Sequence, residues 1–224
     1  MNAQYFSLKA AVKDCIPIVA SYIVLGIAFG VLLKDAGYGI IYAVLMSTFI
    51  YGGTMQFVAI SLLTTHAAFL TTAITSFMVS ARQFLYSISV IDQYKGAGKL
   101  KPYIIHALTD ETYTLVTNNK DKDARYFFSV SLINHLAWIL GGVLGNLLGE
   151  VLPFNTQGMD FALTALFLTF FIDQWKSSHY HFPALLGVFA SLFCLVIFGP
   201  NHFLIPTMII MVIGLLFAKQ KAGL

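Results

Sequence analysis

Apolar residues run almost without interruption through 15–33, 38–64, 67–91, 126–149, 160–175, 183–199 and 203–218, and polar loops separate the runs. Each run reaches or approaches the ~20 residues that an α-helix needs to cross a bilayer. No Asp, Glu, Lys or Arg falls between Asp35 and Arg82, between Arg125 and Glu150, or between Lys176 and Lys219. Stretches such as Leu204 to Ala218 are apolar in every direction, whereas the strands of a membrane barrel alternate apolar and polar residues. The pattern predicts an all-α, polytopic helical membrane protein, one domain over 1–224, with about seven transmembrane or re-entrant segments. Only 103–117 is ambiguous.

Composition sharpens this picture. With 58% hydrophobic and 10% charged residues, the chain has too little charge to coat a water-exposed surface, since soluble domains carry roughly 25%. The run 15–33 is longer than a signal-peptide core and ends at Lys34 and Asp35 without a small-residue cleavage pattern, so it reads as a retained helix. Cys15 and Cys194 lie in apolar runs with neither metal nor disulfide spacing. The net charge of +3 needs no nucleic-acid partner, because short cationic loops facing the cytoplasm account for it.

A weak internal repeat runs through the apolar pattern. Leu25-Gly26-x-x-x-Gly30-x-Leu32-Leu33 recurs as Leu140-Gly141-x-x-x-Gly145-x-Leu147-Leu148, which suggests repeats of about 15–91 and 126–218. Were the first three runs all to cross, Lys95, Lys99 and Lys101 would lie opposite the amino terminus, against the positive-inside rule. A second run that is re-entrant, a broken pair of half-helices hinged at Gly52-Gly53, removes the conflict. If 103–117 then crosses, the two repeats are inverted relative to each other.

Candidate chemistry is concentrated at a few polar positions. Arg82 lies ten residues before Asp92, roughly 15 Å inside its apolar run at 1.5 Å per residue. A cation at such depth faces a bundle interior or a cavity; it meets either a substrate carboxylate or an acidic side chain that pairs two helices. In 103–117, His106, Asp110, Tyr113 and Thr117 recur at helical spacing and share one face if the segment is a single helix. Asp110 or Glu111 then serves as proton carrier or as partner of Arg82 on a crossing helix, or the helix lies at the interface. Gly52 and Gly53, followed by Thr54 and Gln56, interrupt the second run; they mark either a substrate site at exposed half-helix ends or close packing of small residues. Asp173 and Gln174, beside Trp175 and Lys176, read as an interfacial anchor, and Asn134 with His135 as interhelical hydrogen-bonding groups or part of a polar path. No His-Glu-x-x-His, Gly-x-Ser-x-Gly or nucleotide-binding glycine loop occurs, so neither an enzymatic role nor a cofactor is indicated.

At Gly26-x-Ala28-Phe29-Gly30, Gln56-Phe57, Ala81-Arg82-x-x-Leu85-Tyr86 and Leu108-Thr109-Asp110-Glu111-Thr112 the chain resembles the AzlC family of branched-chain amino acid permeases, the large subunits of bacterial two-component exporters. The resemblance extends over most of the chain. That pattern commonly reads Ala-Ser-Gln-Phe and Asn-x-Arg-His where this chain has Thr54-Met55-Gln56-Phe57 and Ser80-Ala81-Arg82-Gln83; Gln56 and Arg82 are kept. The resemblance implies export of branched-chain amino acids from the bacterial inner membrane and a small AzlD-like membrane subunit as partner. The residues themselves indicate a polar path for a small zwitterion, with Gly52, Gly53, Gln56 and Arg82 toward substrate and Asp110 or Glu111 toward proton coupling. A passive channel and a non-transporting scaffold subunit are the alternatives.

Overall fold

A computed structural model describes residues 8–119, 122–151 and 181–199, with scattered positions from 168 to 176 and from 203 to 217. The chain folds as two compact units, Met1–Leu163 and Thr164–Leu224. Every regular element among the described residues is helical.

The first unit is built on two 28-residue helices, α1 (Leu8–Asp35) and α7 (Ala124–Val151), both long and apolar enough to cross a membrane. Their facing surfaces carry the two copies of the glycine repeat. A methyl group on Gly26 would stand 2.9 Å from the Gly141 Cα, and one on Gly30 or Gly145 would collide with the backbone of Gly142 or Ile27. Small residues let the two backbones touch, so van der Waals contact replaces the hydrophobic drive that lipid cannot supply.

These helices run parallel. Tyr126 pairs with Asp14, Val130 with Cys15, and Asn146 with Gly30, at separations of 112, 115 and 116 residues. Lys34 and Glu150 close the far end in a 3.1 Å ion pair. An inverted pair of repeats would set its equivalent first helices antiparallel. The expected inversion is therefore corrected: the glycine-bearing spans point the same way, since Asp14 meets Tyr126 at one end and Lys34 meets Glu150 at the other.

Between them the chain forms two helical hairpins. The first comprises α2 (Ile40–Phe49) and α3 (Gly53–Thr64). Tyr38, Ala43, Met46, Met55, Ala59 and Ile60 share an apolar cluster with Phe29 and Leu33, near the Asp35 end of α1. Ser61 and Thr64 line a cavity together with Leu32 and Asp35. So α2 descends from the Asp35 end to mid-depth and α3 returns to that end.

Next, α4 (Phe69–Ser89) traverses the unit: Val79 packs on the cluster just described, and Val90 beyond its end packs against Ala11 and Cys15 near the Leu8 end. A 3₁₀ turn over Lys95–Leu100 then leads into the second hairpin, α5 (Lys101–His106) and α6 (Asp110–Asn118). Ile104 and Val116 join Ala11, Cys15, Tyr126 and Val130 in one cluster, which places both open ends of this hairpin toward the Leu8 end. The expected single helix over 103–117 is thus two short helices. Thr109 causes the break: its side chain accepts from the Thr112 amide as an N-cap, and Asp110 and Glu111 fill the first turn of α6, where carboxylates complement the helix dipole.

In the second unit α8 (Phe182–Phe198) starts with Pro183 in its first turn and ends at Gly199, whose φ of 71° continues the chain in a conformation suited to glycine. Gly187 and Gly214 face Met211 and Leu186, so Met211 and Gly214 pack on this helix through small-residue contacts. Asp173 and Gln174 lie outside the described residues.

Candidate functional site at the junction of two hairpins

The breaks of the two hairpins meet midway along α1 and α7. Tyr22 and Trp138 occupy the centres of those helices, about 20 Å from either end at 1.5 Å per residue, and their rings pack edge to face at 5.3 Å.

At the first break the helix stops at Phe49 and resumes at Gly53, as the paired glycines suggest. Tyr51, 2% exposed, holds φ at +37°, a strained value for a bulky residue, which persists only where packing enforces it. Its ring lies 4.1 Å from that of His135 and 6.4 Å from that of His106. Gly53 abuts the Trp138 ring, and Gly52 faces the Gln83 amide, so neither position has free room for a side chain. The glycines thus stand at the helix break and pack closely against Trp138 and Gln83.

Gln56, one turn into α3, is fully buried. Trp138 Nε1 donates to its Oε1 at 2.5 Å, and its Nε2 donates to Ser47 Oγ at 3.3 Å. A buried amide left unpaired would cost about 1–3 kcal/mol, so these two bonds fix the side chain across the break, tying α3 to both α2 and α7.

The carbonyls that α2 leaves unpaired at its last turn find partners on other elements. His135 Nε2 lies 3.2 Å from the Ser47 carbonyl and His106 Nε2 lies 3.0 Å from that of Thr48. A carbonyl only accepts, so each imidazole carries its proton on Nε2 in these bonds. The Nδ1 of His135 is 3.0 Å from the Tyr103 hydroxyl, which donates to it when the ring is neutral. His135, mid-way along α7, is therefore engaged at both nitrogens.

The second break contributes the acidic chemistry. Tyr22 donates to Glu111 Oε2 at 2.6 Å, and the same hydroxyl lies 2.6 Å from Thr109 Oγ1. Asn134 donates to Thr112 Oγ1 at 3.2 Å. Asp110 stands beside Glu111 in the same first turn. His106 belongs to α5 and Asp110 to α6, so the single wet face expected over 103–117 is replaced by a turn that presents His106 to one hairpin and Glu111 to α1.

Of the sequence-selected residues, Gly52, Gly53, Gln56 and Glu111 all border this junction. The backbone of Arg82 lies on α4 next to Gln83, at the level of Gly52; its side chain, and with it the expected pairing with Asp110 or Glu111, lies outside the described residues. Tyr22, Ser47, Tyr51 and Trp138 were not singled out by sequence reasoning. They carry no local pattern: each owes its place to a contact with a distant segment. The second break, by contrast, did leave a signal in Thr109-Asp110-Glu111, an N-cap followed by acidic residues.

Comparison with known proteins places the chain in context. The family described as AzlC protein matches residues 17–152, which include every side chain named in this junction. The Bacillus subtilis "Branched-chain amino acid transport protein AzlC" is 38% identical over 220 residues, covering 96% of this chain and 86% of its own. A Helicobacter pylori protein called "Uncharacterized membrane protein" is 41% identical over 219 residues and 96% of both chains, and the Escherichia coli "Inner membrane protein YgaZ" is 30% identical over 193 residues, 80% of this chain and 78% of its own. No solved structure matches the chain.

Proposed function

The chain belongs to the AzlC family, and from that premise we propose that it exports small apolar, branched-chain amino acids across a bacterial inner (plasma) membrane, as a multi-pass carrier coupled to the proton gradient. One observation carries this reading: two interrupted hairpins enter from opposite ends of the first unit and their breaks meet at mid-depth. A carrier needs a central site reached alternately from either side, and helix breaks at the midplane supply it with backbone polar groups. Each hairpin closes one end.

The substrate is a zwitterion, so the site has two tasks. Gly52, Gly53 and Gln56, with Arg82 from α4, receive the carboxylate; Asp110 or Glu111 receives the ammonium group or the coupling proton. The branched side chain finds an apolar wall in Tyr22, Tyr51 and Trp138, which share a buried cluster. A small AzlD-like membrane subunit is the partner, seated on the exposed apolar surface among membrane lipids.

Charge supports an orientation. Lys9, Lys13, Lys95, Lys99, Lys101, Lys122 and Arg125 gather at the Leu8 end or in the loops beside it, which makes that end cytoplasmic by the positive-inside rule. Within the first unit α1, α4 and α7 cross, and the hairpins are re-entrant. With the runs at 160–175, 183–199 and 203–218 this gives about seven embedded segments beside the short second hairpin. The glycine spans then begin two repeats, about 15–91 and 126–218, of one transporter domain covering 1–224.

Efflux of radiolabelled valine from loaded proteoliposomes, with and without an imposed pH gradient, tests the proposal. Gradient-stimulated exchange is expected, and Arg82→Ala is expected to abolish it in protein that still inserts. Unitary currents in place of exchange would identify a channel; no flux with the small subunit present would identify a scaffold.

A further inference from the structure

One imidazole hydrogen-bonds the two hairpins to each other, beside the apolar packing of Tyr51 and Phe57 with Tyr103 and Ala107. His106 ends α5, and its Nε2 bonds the Thr48 carbonyl in the last turn of α2. The nearby His135 cannot play the same part, because it is 6% exposed and both its nitrogens are engaged. His106 is exposed, and among the described residues only its Nε2 is bonded; Nδ1 remains to take a second proton.

We propose that His106 is a proton-operated latch, with proton binding at Nδ1 fastening the second hairpin to the first and proton release freeing them. The inference rests on the transport reading above for its role in a cycle, but the latch is a property of the junction itself. Two features combine. In the cation both ring nitrogens are donors, so the bond to Thr48 is secured, whereas the neutral ring loses it whenever its single proton sits on Nδ1. The bonded group is a backbone carbonyl at a helix break, where opening the contact disturbs no other helical bond.

The titratable groups around the latch are Tyr51 from the first break, Tyr103 from α5, His135 from α7, Tyr22 from α1, and Asp110 and Glu111 from α6; Arg82 reaches the same level on α4. Among those whose side chains are described, none bonds Nε2 of His106, and the Thr48 carbonyl is its acceptor.

Two readouts on the full chain test the latch. The first is independent of transport. Thr48→Cys keeps the accepting carbonyl, and in a Cys15→Ser/Cys194→Ser background its labelling rate by a small maleimide reports opening. The rate is compared with that of the same protein carrying His106→Gln, whose side-chain amide still donates to the carbonyl but takes no proton. Across about pH 5 to 8, the labelling rate with His106 in place, divided by the rate with His106→Gln, is expected to rise with pH. A constant ratio would overturn the latch. The second readout is valine exchange in proteoliposomes: His106→Gln is expected to retain exchange while losing its pH dependence. Retention of the unaltered pH profile would overturn the latch and leave the transport proposal standing; absence of exchange in unsubstituted protein, with a pH-dependent labelling ratio, would do the reverse.

Discussion

The α1–α7 seam and the hairpin junction share the same two helices, yet they are made of opposite materials. The seam is backbone against backbone: Gly26, Gly30, Gly141 and Gly145 leave no space for a methyl group, and ionisable pairs close its two ends, Asp14 with Tyr126 and Lys34 with Glu150. The junction is side chains satisfying the loose ends of other segments: Gln56 with Trp138, histidines with α2 carbonyls, Tyr22 with Glu111. The difference separates two duties. A seam of touching backbones has one arrangement and makes a rigid frame, whereas a junction of exchangeable hydrogen bonds has several and can rearrange.

If this division is right, a substitution in the seam removes the protein and a substitution in the junction removes its activity. Gly145→Leu should have the largest effect. Its side chain has nowhere to go but the backbone of α1, and overpacking of a tight contact costs about 1–3 kcal/mol or more; the yield of monodisperse protein in detergent and its Tm should both drop. A fully stable Gly145→Leu protein would refute the rigid seam.

Gln56→Ala comes next. It strands the Trp138 N–H and frees the first break, so valine exchange should fall about tenfold or more, as a loss of ~1.4 kcal/mol or more in the site implies, while inserted protein remains. Trp138→Phe removes the donor and part of the ring but leaves the Gln56 amide in place, and should lie between Gln56→Ala and the unsubstituted protein. Unchanged exchange in Gln56→Ala would show the break to be ordinary packing.

The smallest effect belongs to the second hairpin, which caps itself. Thr109→Ala loses the side-chain acceptor for the Thr112 amide, at about 1 kcal/mol, and Thr109→Ser should restore the Tm. A larger loss with Thr109→Ser failing to rescue would mean that the contact to Tyr22, rather than the cap, holds the turn.

Much of the frame was legible in the sequence, for a reason particular to membranes. Long apolar runs, charge gaps and small-residue stripes follow from the bilayer itself, so α1, α4, α7 and the stop at Gly52 could be placed from local pattern. The match of Gly26/Gly30 to Gly141/Gly145 could be seen as a repeat, but its direction could not, because a stripe of glycines packs parallel or antiparallel equally well. The junction was legible only in part. Gln56 and Glu111 stood out as polar residues in apolar surroundings, while Tyr22, Tyr51 and Trp138 look like ordinary membrane aromatics until a distant hairpin is brought against them. His106 was grouped with Asp110 by spacing, and the N-cap at Thr109 overrode that spacing by ending one helix and starting another.

The central claim is that the two hairpins enter from opposite sides and meet at mid-depth, and cysteine accessibility tests it most directly. His66, in the loop after α3, and Gly96, in the loop after α4, are both exposed, and a side chain at Gly96 meets nothing within 4 Å. In a Cys15→Ser/Cys194→Ser background, His66→Cys should react with an impermeant maleimide in intact cells, and Gly96→Cys only in inside-out vesicles. Labelling of both positions from the same face would contradict the opposed hairpins and the carrier reading built on them.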